Sequence, residues 1–399
     1  FGELQGKTML TQIFSGADMT CRAISLLFAS TLLVATQAMA DTIAPDPRVK
    51  QVVEDLQLQR AESALRDNPA WQPRRIVVSI PAGIAQRMPE LADQLRRAVG
   101  SAELVIVESN NMVPDSETLA GADAYIGLCT PNILANASAS LLWVHSYAAG
   151  MEGCSGLAPN LTEGRIFTNS KRLASPAIAE HSIAMLMSLT TGLPTYHKAQ
   201  MDSRWDRSRA AGKKFGELQG KTILVAGLGG IGTEIARRAN GLGMRVTATR
   251  SSSREGPDFV AYVGLSDELP TLAAQADVVV NALPLTSRTK GLFNKAFFDT
   301  MKPGSIFISV GRGASTVTAD LLAALQSGQL HGAGLDVTDP EPLPADSPLW
   351  QMSNVIITPH VSATSPGSME RTSLVASENL RRYVDGGYLL NVVNIQAGY

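Results

Sequence analysis

Short apolar runs alternate with helix-prone stretches along most of the chain. The runs IVVSI (76–80), ELVIVES (103–109), GADAYIGL (121–128) and LLWVH (141–145) have the length and content of buried strands. Residues 88–99 read as a helix between the first two. A second series starts at Gly220 with KTILVAGLGGIG, a strand, a Gly-rich turn and the start of a helix. It continues through MRVTATR (244–250), ADVVVNALP (276–284), GSIFISVGRG (304–313), GAGLDV (332–337) and NVIITPH (354–360), with helices expected over 318–328 and 368–385. Strands alternating with helices at this spacing predict parallel sheets.

Between the two series, residues 176–201 are apolar nearly all round, which predicts a long helix buried between domains or subunits. Ser175 can cap it, Pro176 suits its first turn, and Pro194 is expected to bend or end its first section. A further helix is expected over 47–67, stopped by Asn68-Pro69. The fold class is therefore α/β, with two Rossmann-like doubly wound parallel-sheet domains and the active site in the cleft between them. The expected divisions are a leader at 1–40, a helical extension at 41–73, and a substrate-binding domain at 74–175 completed by 366–399. The dinucleotide-binding domain takes 176–365.

The first residues differ in character. FGELQGKT at 1–8 recurs at 215–222. Nothing around the two copies is alike, so the first reads as a cloning or assembly artefact. From Met19, a positive Arg22, an apolar run over 24–35 and Ala38-Met39-Ala40 have the layout of a secretory signal peptide, with Asp41 the first mature residue. The apolar run is short for a membrane span. A cytoplasmic setting is the alternative.

The chain has 399 residues, with 34 Lys+Arg against 36 Asp+Glu, so charge offers no support for a nucleic-acid or polybasic membrane partner. Of the three cysteines, Cys129 and Cys154 read as core or loop thiols. No CxxC occurs, and neither a metal site nor a disulfide scaffold is expected.

Gly227-x-Gly229-x-x-Gly232 follows an apolar strand and opens a helix. Gly227 suits the tight turn, Gly229 a close backbone approach to a pyrophosphate, and Gly232 helix–strand packing. Gly230 and Ile231 lie at the helix start, where free N–H groups and the helix dipole favour phosphate. The next strand ends Thr249-Arg250-Ser251-Ser252-Ser253-Arg254, with no carboxylate for a ribose 2′-hydroxyl. Two guanidiniums there favour a 2′-phosphate, so NADP is the preferred cofactor and NAD the alternative.

VGRGAS (310–315), GLDVTDPEPLP (334–344) and NVIITPH (354–360) each lie at or beyond the C-terminal end of a predicted parallel strand, where open α/β sheets bind ligands. They bring Arg312, Glu341 and His360 together. With LPLTSRTKGLFN (283–294) and GLGGIG, these motifs resemble the D-isomer-specific 2-hydroxyacid dehydrogenase family in order and spacing, over about residues 74–390. The likeness is greatest to its glyoxylate and hydroxypyruvate reductase branch. The resemblance implies that Arg312 binds substrate, Glu341 partners the histidine and His360 is the acid–base. It also implies cofactor contacts from Leu283, Pro284, Thr289, Val310, Gly311, Asp336 and His360. Backbone N–H groups of Gly127, Leu128, Cys129, Ala149 and Gly150 would meet the substrate carboxylate. A homodimer is expected on the same grounds. The alternatives are a nucleotide-sensing co-repressor of the same fold, and a phosphite-type dehydrogenase with the same Arg, Glu and His.

Overall fold

A computed structural model describes residues 44–87, 89–108, 113–151, 153–154, 157–207 and 216–395. The artefact-like copy at 1–8 and the leader-like segment at 19–40 lie outside the described residues.

The extension begins with helix α1 (Pro47–Asp55), capped by the Asp46 carboxylate, which accepts from the Arg48 amide at 2.9 Å. The helix is shorter than the expected 47–67. Gln57 turns the chain through a left-handed φ of 51°. The residues after it trade helical bonds for bonds to the C-terminal strap: Ala61 N–H donates to Leu389 O at 2.8 Å and Leu65 N–H to Gly387 O at 3.0 Å.

Five parallel strands follow: β1 (Arg75–Ile80), β2 (Glu103–Glu108), β3 (Ala124–Gly127), β4 (Trp143–Ser146) and β5 (Ile166–Asn169), in the order 2-1-3-4-5. Helix α2 (Leu91–Ala98) presents Leu91, Leu95 and Ala98 to the core. Four of these strands follow from the apolar runs. β5 escapes that reading because IFTN has two apolar residues and no apolar neighbours, whereas Leu141 and Leu142 extend the run into β4.

The chain crosses over through residues 170–174 into α3 (Ser175–Thr191) and α4 (Leu193–Met201). The break expected at Pro194 falls at Gly192, whose φ of 72° ends α3 in the left-handed conformation. Pro194 instead sits in the first turn of α4, where its missing N–H costs nothing.

The second sheet has seven parallel strands: β6 (Thr222–Ala226), β7 (Arg245–Arg250), β8 (Tyr262–Leu265), β9 (Val278–Asn281), β10 (Ser305–Ser309), β11 (Leu330–Leu335) and β12 (Val355–Ile357). Their order is 12-11-10-9-6-7-8, so the winding reverses between β6 and β9. That reversal is where an open α/β sheet leaves a crevice for a ligand. Helix α5 (Gly230–Gly241) packs on β6 and β7 and against α3. Helix α6 (Pro366–Val384) returns the chain to the first sheet, where Ala376, Leu380 and Tyr383 join its core. The Tyr383 hydroxyl donates to Asp123 Oδ1 at 3.0 Å, and Trp71 Nε1–H donates to Tyr383 O at 2.7 Å.

One expectation is overturned. Cys129 and Cys154 are not separate thiols; they form a disulfide with Cα atoms 5.8 Å apart. The 25-residue separation follows no metal-type spacing, and only the fold brings the two loops together. Closing a loop of 25 residues stabilises by about 3.5 kcal/mol in the chain-entropy account. The double variant Cys129→Ala/Cys154→Ala is expected to lose stability of that order in urea unfolding. A loss below about 1 kcal/mol would mean that packing alone holds the two loops.

Candidate active site

The Gly-rich turn is built as its spacing demands. Gly227 has a left-handed φ of 93°, with Leu283 Cδ2 only 3.0 Å from where a side chain would start. A Cβ on Gly232 would strike the Gly227 carbonyl, so a larger residue would part helix from strand. Gly229 faces open space, with no atom within 4 Å of a Cβ built there. An open approach beside the N-terminus of the 12-residue α5 fits a dinucleotide pyrophosphate.

The β7 end is arranged differently from the expectation of two free guanidiniums. Arg254 Nη1 pairs with Glu268 Oε1 at 2.7 Å and donates to the Tyr262 hydroxyl at 2.8 Å. It is thereby tied to the sheet edge. Arg250 folds back on the turn, Nε–H donating to Leu228 O at 3.1 Å and Nη1–H to Glu255 O at 2.9 Å. Ser251 is exposed beside it.

Two buried polar side chains stitch the loops beyond β9 to β12. Asn281 Oδ1 accepts from Leu283 N–H at 3.1 Å, while Nδ2 donates to the Ser309 and Ser315 hydroxyls at 3.1 and 2.8 Å. Pro284 O accepts from the Thr289 hydroxyl at 2.7 Å, which closes that loop on itself. Asp336, at the end of β11, accepts from the Thr358 hydroxyl at 2.7 Å, Val361 N–H at 3.0 Å and Ser362 N–H at 3.1 Å. Its backbone carbonyl takes His360 N–H at 2.8 Å. Burial pushes the Asp336 carboxyl up, but these donors outweigh burial and hold it below the usual carboxylate range. The Asp336 side chain is thus spent on the loop that carries His360, and it does not line the cavity described next.

Gly311 and Gly313 let the loop bearing Arg312 pass close to its neighbours. A Cβ on Gly311 would lie 2.6 Å from Leu283 O, and one on Gly313 would strike Thr338 O. Arg312 Nη1–H donates to Gly311 O at 2.9 Å. His360 takes a left-handed φ of 53°, uncommon for a non-glycine residue and fixed by the Asp336 bonds on either side. His360 Nδ1 is 2.7 Å from Glu341 Oε1. A carboxylate only accepts, so Nδ1 carries the proton and Nε2 is left for a ligand. Both side chains are partly exposed.

Arg312 and His360 line one cavity of about 610 Å³ between the two sheets, with Val310 and Ile231 on the cofactor side. Ala149 and Gly150 line it too, joined by Tyr147 and Ala148. Gly127, Leu128 and Cys129 do not. Gly127 is packed against Tyr125 and Ser79, the Leu128 amide is taken by the buried Tyr125 hydroxyl, and Cys129 is in the disulfide. The apolar wall comes from Ile84, Leu91 and Met369, which lie in ordinary helical or loop sequence and carry no motif. His145 is buried in the first sheet, its Nδ1 2.8 Å from Thr168 Oγ1, and burial lowers its pKa to about 3. His181 Nε2 meets Thr358 Oγ1 at 2.9 Å, behind Asp336.

A dinucleotide-type turn, an arginine and an acid-paired imidazole at one cleft have the make-up of a nicotinamide-dependent oxidoreductase acting on CH–OH groups. Residues 183–362 match the family described as D-isomer specific 2-hydroxyacid dehydrogenase, NAD binding domain. Glyoxylate/hydroxypyruvate reductase B of Enterobacter sp. (strain 638) is 36% identical over 220 residues, covering 54% of this chain and 67% of the relative. Among solved structures, a D-isomer specific 2-hydroxyacid dehydrogenase family protein from Aeromonas salmonicida is 30% identical, with a TM-score of 0.67 over 81% of this chain and 100% of that one. The NADPH-dependent glyoxylate/hydroxypyruvate reductase of Sinorhizobium meliloti, in complex with NADP and sulfate, is 26% identical, with a TM-score of 0.68 over 82% and 100%. The chain spans about half the length of the D-3-phosphoglycerate dehydrogenases it matches. The chain belongs to the D-isomer specific 2-hydroxyacid dehydrogenase family.

The Asp336 network has a direct consequence. Asp336→Ala leaves three donors without their buried acceptor, at about 1–3 kcal/mol each. Denaturant unfolding is expected to show a loss of about 3 kcal/mol or more, with Asp336→Asn, which keeps one acceptor oxygen, losing less. A loss under about 1 kcal/mol for the alanine variant would show that the His360 loop is held by other means.

Proposed function

We propose that this enzyme reduces a small 2-keto acid of the glyoxylate or hydroxypyruvate kind to the D-2-hydroxy acid, with NADPH preferred. The observation that carries the reading is the pairing of His360 Nδ1 with Glu341 at 2.7 Å while His360 shares its cavity with Arg312. The bound cofactor supplies a hydride from its nicotinamide C4. Arg312 grips the substrate carboxylate and draws charge from the neighbouring carbonyl. His360 Nε2, as imidazolium, donates a proton to the carbonyl oxygen as negative charge grows there. Glu341, paired with Nδ1, holds the ring in place. In the oxidative direction neutral His360 accepts the proton. Tyr147 to Gly150 close the cavity on the side of the first sheet.

The NADP preference draws support from Arg250 at the β7 end and from solved relatives described as complexes with NADP or NADPH. The cystine supports reading residues 19–40 as an export leader, because disulfides persist in oxidising compartments. Met187, Leu193, Met201 and Trp205, all exposed along and just beyond α3 and α4, support a homodimer face.

Two variants test this reading. His360→Ala is expected to lower keto-acid reduction by at least about 100-fold, the usual scale of general acid catalysis, while NADPH binding is kept. Near-normal turnover would remove His360 from the mechanism. Arg250→Asp is expected to reverse the preference between NADPH and NADH in initial-rate measurements. Unaltered selectivity would place the 2′-phosphate elsewhere.

A further inference from the structure

The crossover from the first sheet to α3 runs over the Gly-rich turn and brings a residue that no motif marks. Arg172 has a left-handed φ of 73°, and its carbonyl accepts from Ser175 N–H at 3.0 Å. Its side-chain stem fills the place where a Cβ on Gly230 would stand. Arg172 Cγ lies 2.7 Å from that point and Ser175 Oγ 2.9 Å. Gly230 is therefore a glycine for the sake of Arg172: any side chain there would lift the arginine off the turn. The guanidinium is steadied from outside the dinucleotide fold, Nη1–H donating to Leu56 O of the N-terminal extension at 3.1 Å.

Arg250 reaches the same turn from its other flank, on the carbonyl of Leu228. Residues 228 and 230 of one turn thus each carry an arginine, with Gly229 open between them. Both arginines are partly buried, and their hydrogen bonds run to backbone carbonyls. Arg238 and Arg254 nearby are each paired with a glutamate. Burial, and then the charge of Arg250, lower the Arg172 pKa, so the two cations feel one another. Among the described residues neither arginine forms an ion pair with a carboxylate, and two such cations on one turn suit an anionic ligand.

We propose that Arg172 is a phosphate-binding residue of the cofactor site, forming with Arg250 a two-sided clamp on the phosphates of a dinucleotide seated at Gly229. The proposal rests on the dinucleotide reading of the turn and not on the choice between NADP and NAD, since a pyrophosphate is common to both.

The test is direct binding, on the full chain, of NADPH, NADH, 5′-ADP and 2′-AMP. Arg172→Met keeps the stem and removes the charge; Arg172→Lys keeps both. Loss of a charge-assisted contact predicts a rise in Kd of about 10-fold or more for Arg172→Met, with a shallower salt dependence. Arg172→Lys is expected to recover part of the loss. An equal loss for NADPH, NADH and 5′-ADP assigns Arg172 to the pyrophosphate. A loss confined to NADPH and 2′-AMP assigns it to the 2′-phosphate. Unchanged Kd for all four ligands, or a loss that Arg172→Lys does not recover at all, overturns the proposal. Unaltered selectivity in Arg250→Asp would place the 2′-phosphate elsewhere and leave the Arg172 result standing.

Discussion

The site depends on one buried carboxylate. Asp336 ends β11 with no access to water, yet it draws in a hydroxyl, two amides and, through its carbonyl, a third amide from the segment after β12. A buried acceptor of this kind is costly to leave unmet and stabilises the fold when fully met. The bonds leave His360 in a left-handed conformation with its ring turned to Glu341. Asn281 does the same work one layer over, joining the loops after β9 and β10 and so fixing the segment that carries Arg312. Asn281 thus joins two of the four loops and Asp336 the other two. Parallel strands make this possible, because all their C-terminal ends open on the same edge.

Much of this was legible in the chain because the responsible signals are local. Runs such as IVVSI and ADVVVNALP alternate with helical stretches, and burial on both faces of a parallel strand leaves that mark. The glycines at 227, 229 and 232 have fixed spacing because turn, cofactor approach and helix packing fall at fixed steps. What escaped was non-local. β8 (YVGL), like β5, is an edge strand that pairs along one side only. The Cys129–Cys154 bridge joins loops that only β3 and β4 bring side by side. The Leu128 amide is local to its partner, the Tyr125 hydroxyl of β3, but a side chain folding back on its own strand end leaves no pattern in sequence. Arg254 seemed a phosphate ligand, yet Glu268 lies within an ion-pair distance that sequence order does not reveal.

The disulfide changes how the substrate side of the cleft is held. Cys129 follows β3 and Cys154 follows the segment that lines the cavity at Tyr147 to Gly150. Gly153 lies so close to the Cys129 carbonyl that a Cβ there would sit 2.5 Å away. The loop after β3 does not touch the cavity. It acts as the anchor for the loop after β4, which does.

The N-terminal extension ties the same logic together across the molecule. Leu56 and Leu58 bury their side chains with Leu173 of the first crossover and with Val375 of α6, the second. Arg48 reaches Glu370 on α6 at 2.9 Å, and residues 59–66 run along the chain end at 386–391. The extension therefore touches both of the connections between the two sheets. It also supplies the Leu56 carbonyl that steadies Arg172 over the Gly-rich turn. A segment that looks like an addition in sequence is, in packing, bound to both crossovers and the neighbour of the cofactor turn. Its apolar contacts reward the arrangement in which Arg172 stays over Gly230, because Leu173, the next residue, is fully buried in the same cluster.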